Sequence, residues 1–201
     1  MSRPKGRAKI VAEQKKLEEL AARKAAQAKK KGIIVALSAA GIVAAVGAAV
    51  VFAPPPPGID VPALPPSHIT SLTEPHIPYT SSPPSSGPHV GAGLPPGFDS
   101  PDPIPPEAYV HLLEDGGIVL TYDCPDGCEE LRAGLRRFME ERAGRMVLTP
   151  YEGIVDPDGN ARRAAVVAWG RILYLDELDE DTLSDMETFV SLYAGIDYHA
   201  G

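Results

Sequence analysis

Hydrophobic and polar positions divide this chain into stretches of very different texture. Residues 32–53, GIIVALSAAGIVAAVGAAVVFA, run for 22 positions without a charge. After Glu107 periodicity returns. GGIVLTYD, residues 116–123, is a short apolar, β-branched run opened by glycines, and it predicts a buried strand. CEELRAGLRRFMEERA sets Leu131, Leu135 and Phe138 on one face of a helix, with Glu129 and Glu130 in the first turn, where the helix dipole favours them. RMVLTPY predicts a second strand, Asp156–Asn160 a turn, and RAAVVAWGRILYL a third strand that bends near Gly170. The run from Asp176 places Leu178, Met186, Phe189, Val190 and Tyr193 at helical spacing, and Gly195 ends it. The predicted order is β-α-β-β-α, a small α+β domain.

Composition separates that domain from what precedes it. Of 22 prolines, 18 fall between Pro54 and Pro106, a density that excludes long helices and continuous sheet there. Residues 54–77 are therefore predicted to form a polyproline-like tether. Charge is just as uneven. Residues 1–31 hold 11 Lys and Arg against three Glu, a balance of 11 − 3 = +8, while the remainder holds eight Arg against 24 acidic residues, or −16. The net charge of −8 conceals two opposed halves. The basic segment is rich in helix formers, with Glu19 and Arg23 at a favourable i, i+4 spacing.

A helix over the 22 uncharged residues would measure about 33 Å, enough for a hydrocarbon core of roughly 30 Å. That length, with Lys29, Lys30 and Lys31 on one flank only, predicts a single-pass membrane protein whose N-terminus is cytoplasmic. The C-terminal domain would then be extracytoplasmic. The basic tail would meet anionic lipid; without interleaved aromatics it gives no sign of nucleic-acid binding.

Four ordered blocks carry a resemblance. Tyr79-Thr80-Ser81-Ser82-Pro83-Pro84-Ser85-Ser86-Gly87-Pro88-His89 is similar to a Y-x-S-x-P-P-x-S-G-P-H block, and His111–Gly117 to an H-x-L-E-H-G pattern. Pro150-Tyr151-Glu152-Gly153 is close to P-Y-P-G, and Ala168-Trp169-Gly170-Arg171 to A-W-G-R. Over roughly residues 78–193 the chain resembles a family of membrane-anchored bacterial proteins catalogued as domain of unknown function 3105. The resemblance implies that the Pro/Ser stretch packs back onto the domain, whose limits become 78–195. It also implies a histidine group that could hold a metal. Here that set would be His89, His111, Glu114 and Asp115, with Asp115 standing where the family pattern has a third histidine. A carboxylate in that place suits zinc better than a soft copper site.

Cys124 and Cys128 are the only cysteines. At i, i+4 their α-carbons should lie about 6 Å apart, within disulfide range. In an oxidising compartment a bond is the default, while a thiol at a helix N-terminus also fits redox work, and Cys-x3-Cys is similar to a copper-binding motif. Ser85 and Ser86 near His89 lack a nucleophile elbow, which argues against an enzyme. Two readings follow: a non-catalytic binding module with a copper or zinc site, or an extracytoplasmic thiol-disulfide or copper-handling protein.

Overall fold

The structure, a computed structural model, describes residues 55–125, 127–142 and 144–199, together with residues 15, 16, 19, 20, 23, 24, 27 and 29. It divides into two units, Met1–Pro55 and Pro56–Gly201. In the first, the described residues are exposed and, apart from Pro55, helical. Among its described residues the second holds eight strands: β1 (Ile59–Asp60), β2 (Ser67–Ile69), β3 (Pro88–Val90), β4 (Phe98–Asp99), β5 (Ile118–Tyr122), β6 (Met146–Pro150), β7 (Ala164–Ala168) and β8 (Arg171–Leu175). Its helices are α1 (Pro106–Glu114), α2 (Glu129–Glu140) and α3 (Glu180–Tyr193).

Six strands form one sheet in the order β1-β8-β7-β5-β6-β4. β5 and β6 are parallel, joined by α2 as crossover, while β7 runs antiparallel to both β5 and β8. Alternation along the strands feeds two cores. Ile118, Leu120 and Tyr122 face Leu131, Leu135, Phe138, Met186 and Phe189 of α2 and α3. Val119, Val147, Ala165 and Val167 face Tyr109, Val110, Leu112 and Leu113 of α1. A sheet covered on both sides explains why its central strands read as unbroken apolar runs.

Several expectations are corrected. Among the described residues no helix is long and apolar enough to cross a membrane. The three helices of the domain have 9, 12 and 14 residues, which at 1.5 Å per residue reach at most about 21 Å, short of the roughly 30 Å a bilayer demands. The single-pass architecture and the integral-membrane partner, with its anionic-lipid contact, are therefore set aside in favour of a mixed α+β fold with a six-stranded sheet and three helices. The expected span over 32–53 lies outside the described residues, as does most of the basic segment 1–31.

The tether expected over 54–77 is in part structured. β1 pairs with β8 and β2 with β3, and Val61 and Ile69 are buried. Proline density limits such strands to two or three residues without preventing them. The third predicted strand is two, a hairpin turning at Trp169-Gly170, where Gly170 takes φ +67°. Helix α1 went unpredicted. Pro106 occupies its first turn, a place where the missing N–H costs no hydrogen bond. The order from β5 onward is thus β-α-β-β-β-α, preceded by α1.

The Pro/Ser stretch is buried from Pro83 to His89. Ser82 Oγ donates to the Gly153 carbonyl at 2.7 Å, Tyr79 Oη donates to the Pro88 carbonyl at 2.6 Å, and Gly170 N donates to the Ser85 carbonyl at 3.1 Å. Ser86 Oγ accepts from Leu64 N at 2.9 Å. For the buried Ser85, Ser86 and Pro88 groups each bond replaces water lost on burial.

Candidate metal centre

Four segments bring histidines to one place. β2 and β3 are parallel, with His68 directly opposite His89, and the ring centroids are 4.8 Å apart. Helix α1 packs beside β3 and contributes His111 and Glu114, three residues apart and so on one face. The C-terminal segment after α3 returns to supply His199. Four of the chain's five histidines meet here.

The turn after α1 makes this return possible. Gly117 N donates to the Leu112 carbonyl and Gly116 N to that of Leu113, the paired bonds of a Schellman ending, with Gly116 at φ +76°. A Cβ on Gly116 would come within 2.7 Å of the Ile196 backbone. The C-terminal segment can therefore lie against the helix end, where Gly195 N donates to the Gly116 carbonyl at 2.8 Å and Tyr198 N to the Glu114 carbonyl at 2.9 Å. Tyr198 also stacks on Trp169, which meets the His89 ring edge-on at 6.5 Å.

Glu114 is the hub. It is 2 % exposed, and its Oε2 lies 2.9 Å from His89 Nε2, 3.1 Å from His199 Nε2 and 3.7 Å from His111 Nδ1. Yet His89 Nε2, His111 Nδ1 and Glu114 Oε2 make no hydrogen bond. The nitrogens approach the oxygen off the hydrogen-bond direction, and the tautomers of two rings add to this. His89 Nδ1 lies 2.8 Å from the Gly87 carbonyl, which can only accept, so Nδ1 carries the proton. His199 Nδ1 likewise donates to Asp197 Oδ1 at 3.0 Å. In the neutral rings both Nε2 atoms then turn lone pairs toward a carboxylate oxygen that also offers only lone pairs. Histidines anchored outward through Nδ1 are held as they are in metal sites.

One ligand atom each from His68, His111, Glu114 and His199 lies within 4.8 Å of the others. His89 joins them through its contact with Glu114. For bonds of about 2.1 Å, donors at right angles sit about 3.0 Å apart and tetrahedral ones about 3.4 Å apart. The 2.9 Å and 3.1 Å contacts match a shared ion, and the widest pairs, up to 4.8 Å apart, need to close by about 1.4 Å. All these donors are imidazole nitrogen or carboxylate oxygen, which suits zinc or copper(II) and disfavours copper(I). The end of α1 adds the negative pole of its dipole.

Burial pushes the His111 imidazole below its ordinary pKa against the pull of Asp115, favouring the neutral, ligating form. The Asp197 hydrogen bond holds His199 above its ordinary value. Of the residues predicted from sequence, His89, His111 and Glu114 come together. Asp115 stands at the rim, paired with Arg145, 3.4 Å from His199 Nδ1 and 3.9 Å from His111 Nε2. Sequence reasoning missed His68, read as tether, and His199. A signal existed for the first: Ser67-His68-Ile69 and Pro88-His89-Val90 are matching triplets, each ending in a β-branched residue.

Cys124 and Cys128 are joined by a disulfide, with α-carbons 5.5 Å apart, and pack against the α2/α3 core. They follow the far end of β5, whose five residues span about 16 Å. The sulfurs and the histidines therefore belong to different sites.

Residues 71–198 match the family described as a protein of unknown function (DUF3105). The chain belongs to that family. No curated protein and no solved structure matches it. In this DUF3105 domain the four blocks meet in space: the Pro/Ser block bonds to Gly153 and Gly170 of two others and delivers His89 to the Glu114 of the fourth.

Proposed function

We propose that this domain binds one divalent transition ion, zinc or copper(II), through Glu114 and the surrounding histidines, as a non-catalytic metal-binding module. The observation that carries the proposal is the Glu114 oxygen, buried without a donor and faced by three imidazole nitrogens. An unpaired buried carboxylate is costly. Protonating His89 would answer one contact and leave two other nitrogens facing the same oxygen. A cation at their centre answers all of them. The disulfide supports an oxidising, extracytoplasmic setting, in which copper would be present as copper(II).

The test loads the full chain with Zn(II) or Cu(II), removes free ion and measures metal per chain. One ion per chain is expected, and His89→Ala should lower it below about a fifth, with circular dichroism verifying that the variant folds. At a hundredfold excess over Kd, binding should stabilise the chain by about 2.7 kcal/mol and raise Tm by about 5–10 °C. Retention at background level, with no thermal shift, would overturn the proposal.

A further inference from the structure

We propose, resting on that metal-binding reading, that His199 is a displaceable ligand and that its coordination position is where a small anionic donor from solution, a carboxylate or hydroxide, reaches the ion.

The ligands differ sharply in how they are held. His89 is fully buried, its ring fixed by the Gly87 carbonyl, and His111 and Glu114 ride on a helix packed into the core. His199 is 38 % exposed and sits on the segment beyond α3. That segment is attached to the end of α1 by the two backbone hydrogen bonds from Gly195 and Tyr198, with the Tyr198–Trp169 stack beside them. Gly195, at φ +81° just before it, supplies a joint that other residues rarely adopt.

The surroundings favour exchange. Asp197 holds both the backbone N and Nδ1 of His199, so the ring keeps a partner on its own segment when it leaves the ion. Behind it stands Arg145, whose side chain is 48 % exposed and whose guanidinium pairs with Asp115 at the rim. Departure of the imidazole would open a position on the ion beside that cation. The other exposed ligand is His68, whose ring stacks 6.4 Å from that of His199, so solvent reaches the ion on this side and not past His89. A neutral nitrogen leaves and an anionic oxygen or nitrogen arrives, with no redox change.

Azide, a small monodentate anion, serves as the probe, with the full chain loaded with Co(II), whose visible spectrum reports coordination. Azide should shift the wild-type spectrum. His199→Ala should retain stoichiometric Co(II), bind azide at least tenfold more tightly because the competing imidazole is gone, and lose metal to a chelator at least tenfold faster. His89→Ala should lose the metal outright. If Co(II) binds the wild type but azide leaves both spectra unchanged, or if His199→Ala loses metal as completely as His89→Ala, the exchange proposal fails and the metal-binding reading survives. If wild type binds no Co(II), Zn(II) or Cu(II), both fail together.

Discussion

Helix α1 carries a glutamate at each end, and each faces a histidine. At its start Glu107 accepts from His76 Nε2 at 3.0 Å, while His76 Nδ1 donates to the Ile77 carbonyl at 2.8 Å. Both ring nitrogens meet acceptors in hydrogen-bond geometry, which raises the His76 pKa and favours the imidazolium, so the pair is complete. At the helix end Glu114 faces three imidazole nitrogens, none of them in hydrogen-bond geometry. The same two residue types thus make a closed ion pair in one place and an unfilled set of donors in the other. What differs is geometry and number: His76, His89 and His199 all hold Nδ1 on a local acceptor, but His76 alone meets its glutamate in hydrogen-bond geometry, while three rings converge on one Glu114 oxygen without it.

The sharpest way to break this contrast is to neutralise each glutamate in turn. Glu114→Gln should weaken zinc binding about a hundredfold or more, comparable with or beyond the loss of an outer metal partner. It should leave the metal-free domain as stable as before or more stable by about 1 kcal/mol, because an uncompensated buried charge has gone. Glu107→Gln should do the reverse, leaving zinc affinity unchanged and lowering stability by about 0.5–1 kcal/mol. Calorimetric titration with zinc and urea unfolding read both quantities. If the two variants behave alike, the distinction between the helix ends is lost.

A second probe acts on geometry instead of charge. Gly116→Ala places a methyl against the Ile196 backbone at a positive φ. It should cost about 1–3 kcal/mol and weaken metal binding at least tenfold, because the segment carrying His199 can no longer seat. Urea unfolding and zinc titration again decide. The disulfide provides the control at the other end of β5. Replacing Cys124 and Cys128 together with serine opens a five-residue loop, costing about 2 kcal/mol, while zinc affinity should stay within twofold. A larger effect on zinc would mean that the two ends of the strand communicate.

Legibility in the sequence follows the range of the interactions involved. Helices α2 and α3 are local objects, and Leu131, Leu135, Phe138, Met186 and Phe189 announce them by spacing alone. α3 even carries its own start signal, since Asp179 and Thr182 bond reciprocally as a capping box. β5 and β6 are readable for the same reason. Helix α1 was hidden because its nine residues follow directly on a proline-rich stretch, where proline reads as an interruption and here serves as an N-terminus. His68 was hidden because β2 exists only by pairing with β3, some twenty residues on. His199 needed knowledge that Gly116 lets the chain end pass beside it, a contact between residues about 80 apart. The site is thus less legible than the sheet: its donors come from four segments joined only by tertiary contacts.

The smallest expected effect sharpens the closed half of the comparison. The Ile77 carbonyl first, then the Glu107 carboxylate, hold His76 above its ordinary pKa of 6.5. A histidine whose folded value is raised contributes stability that is complete below about 6.5 and is lost as the pH rises through the folded value. His76→Gln should therefore be less stable than wild type near pH 5.5, by a few tenths of a kcal/mol for a single half-buried pair. Near pH 8.5 the gap should shrink toward zero. Urea unfolding at both pH values with metal absent isolates the term, and an NMR titration of the His76 ring should give a midpoint above 6.5 that zinc does not move. A gap that grew with pH would mean that His76 is held as a neutral ring, and the two ends of α1 would no longer differ in kind.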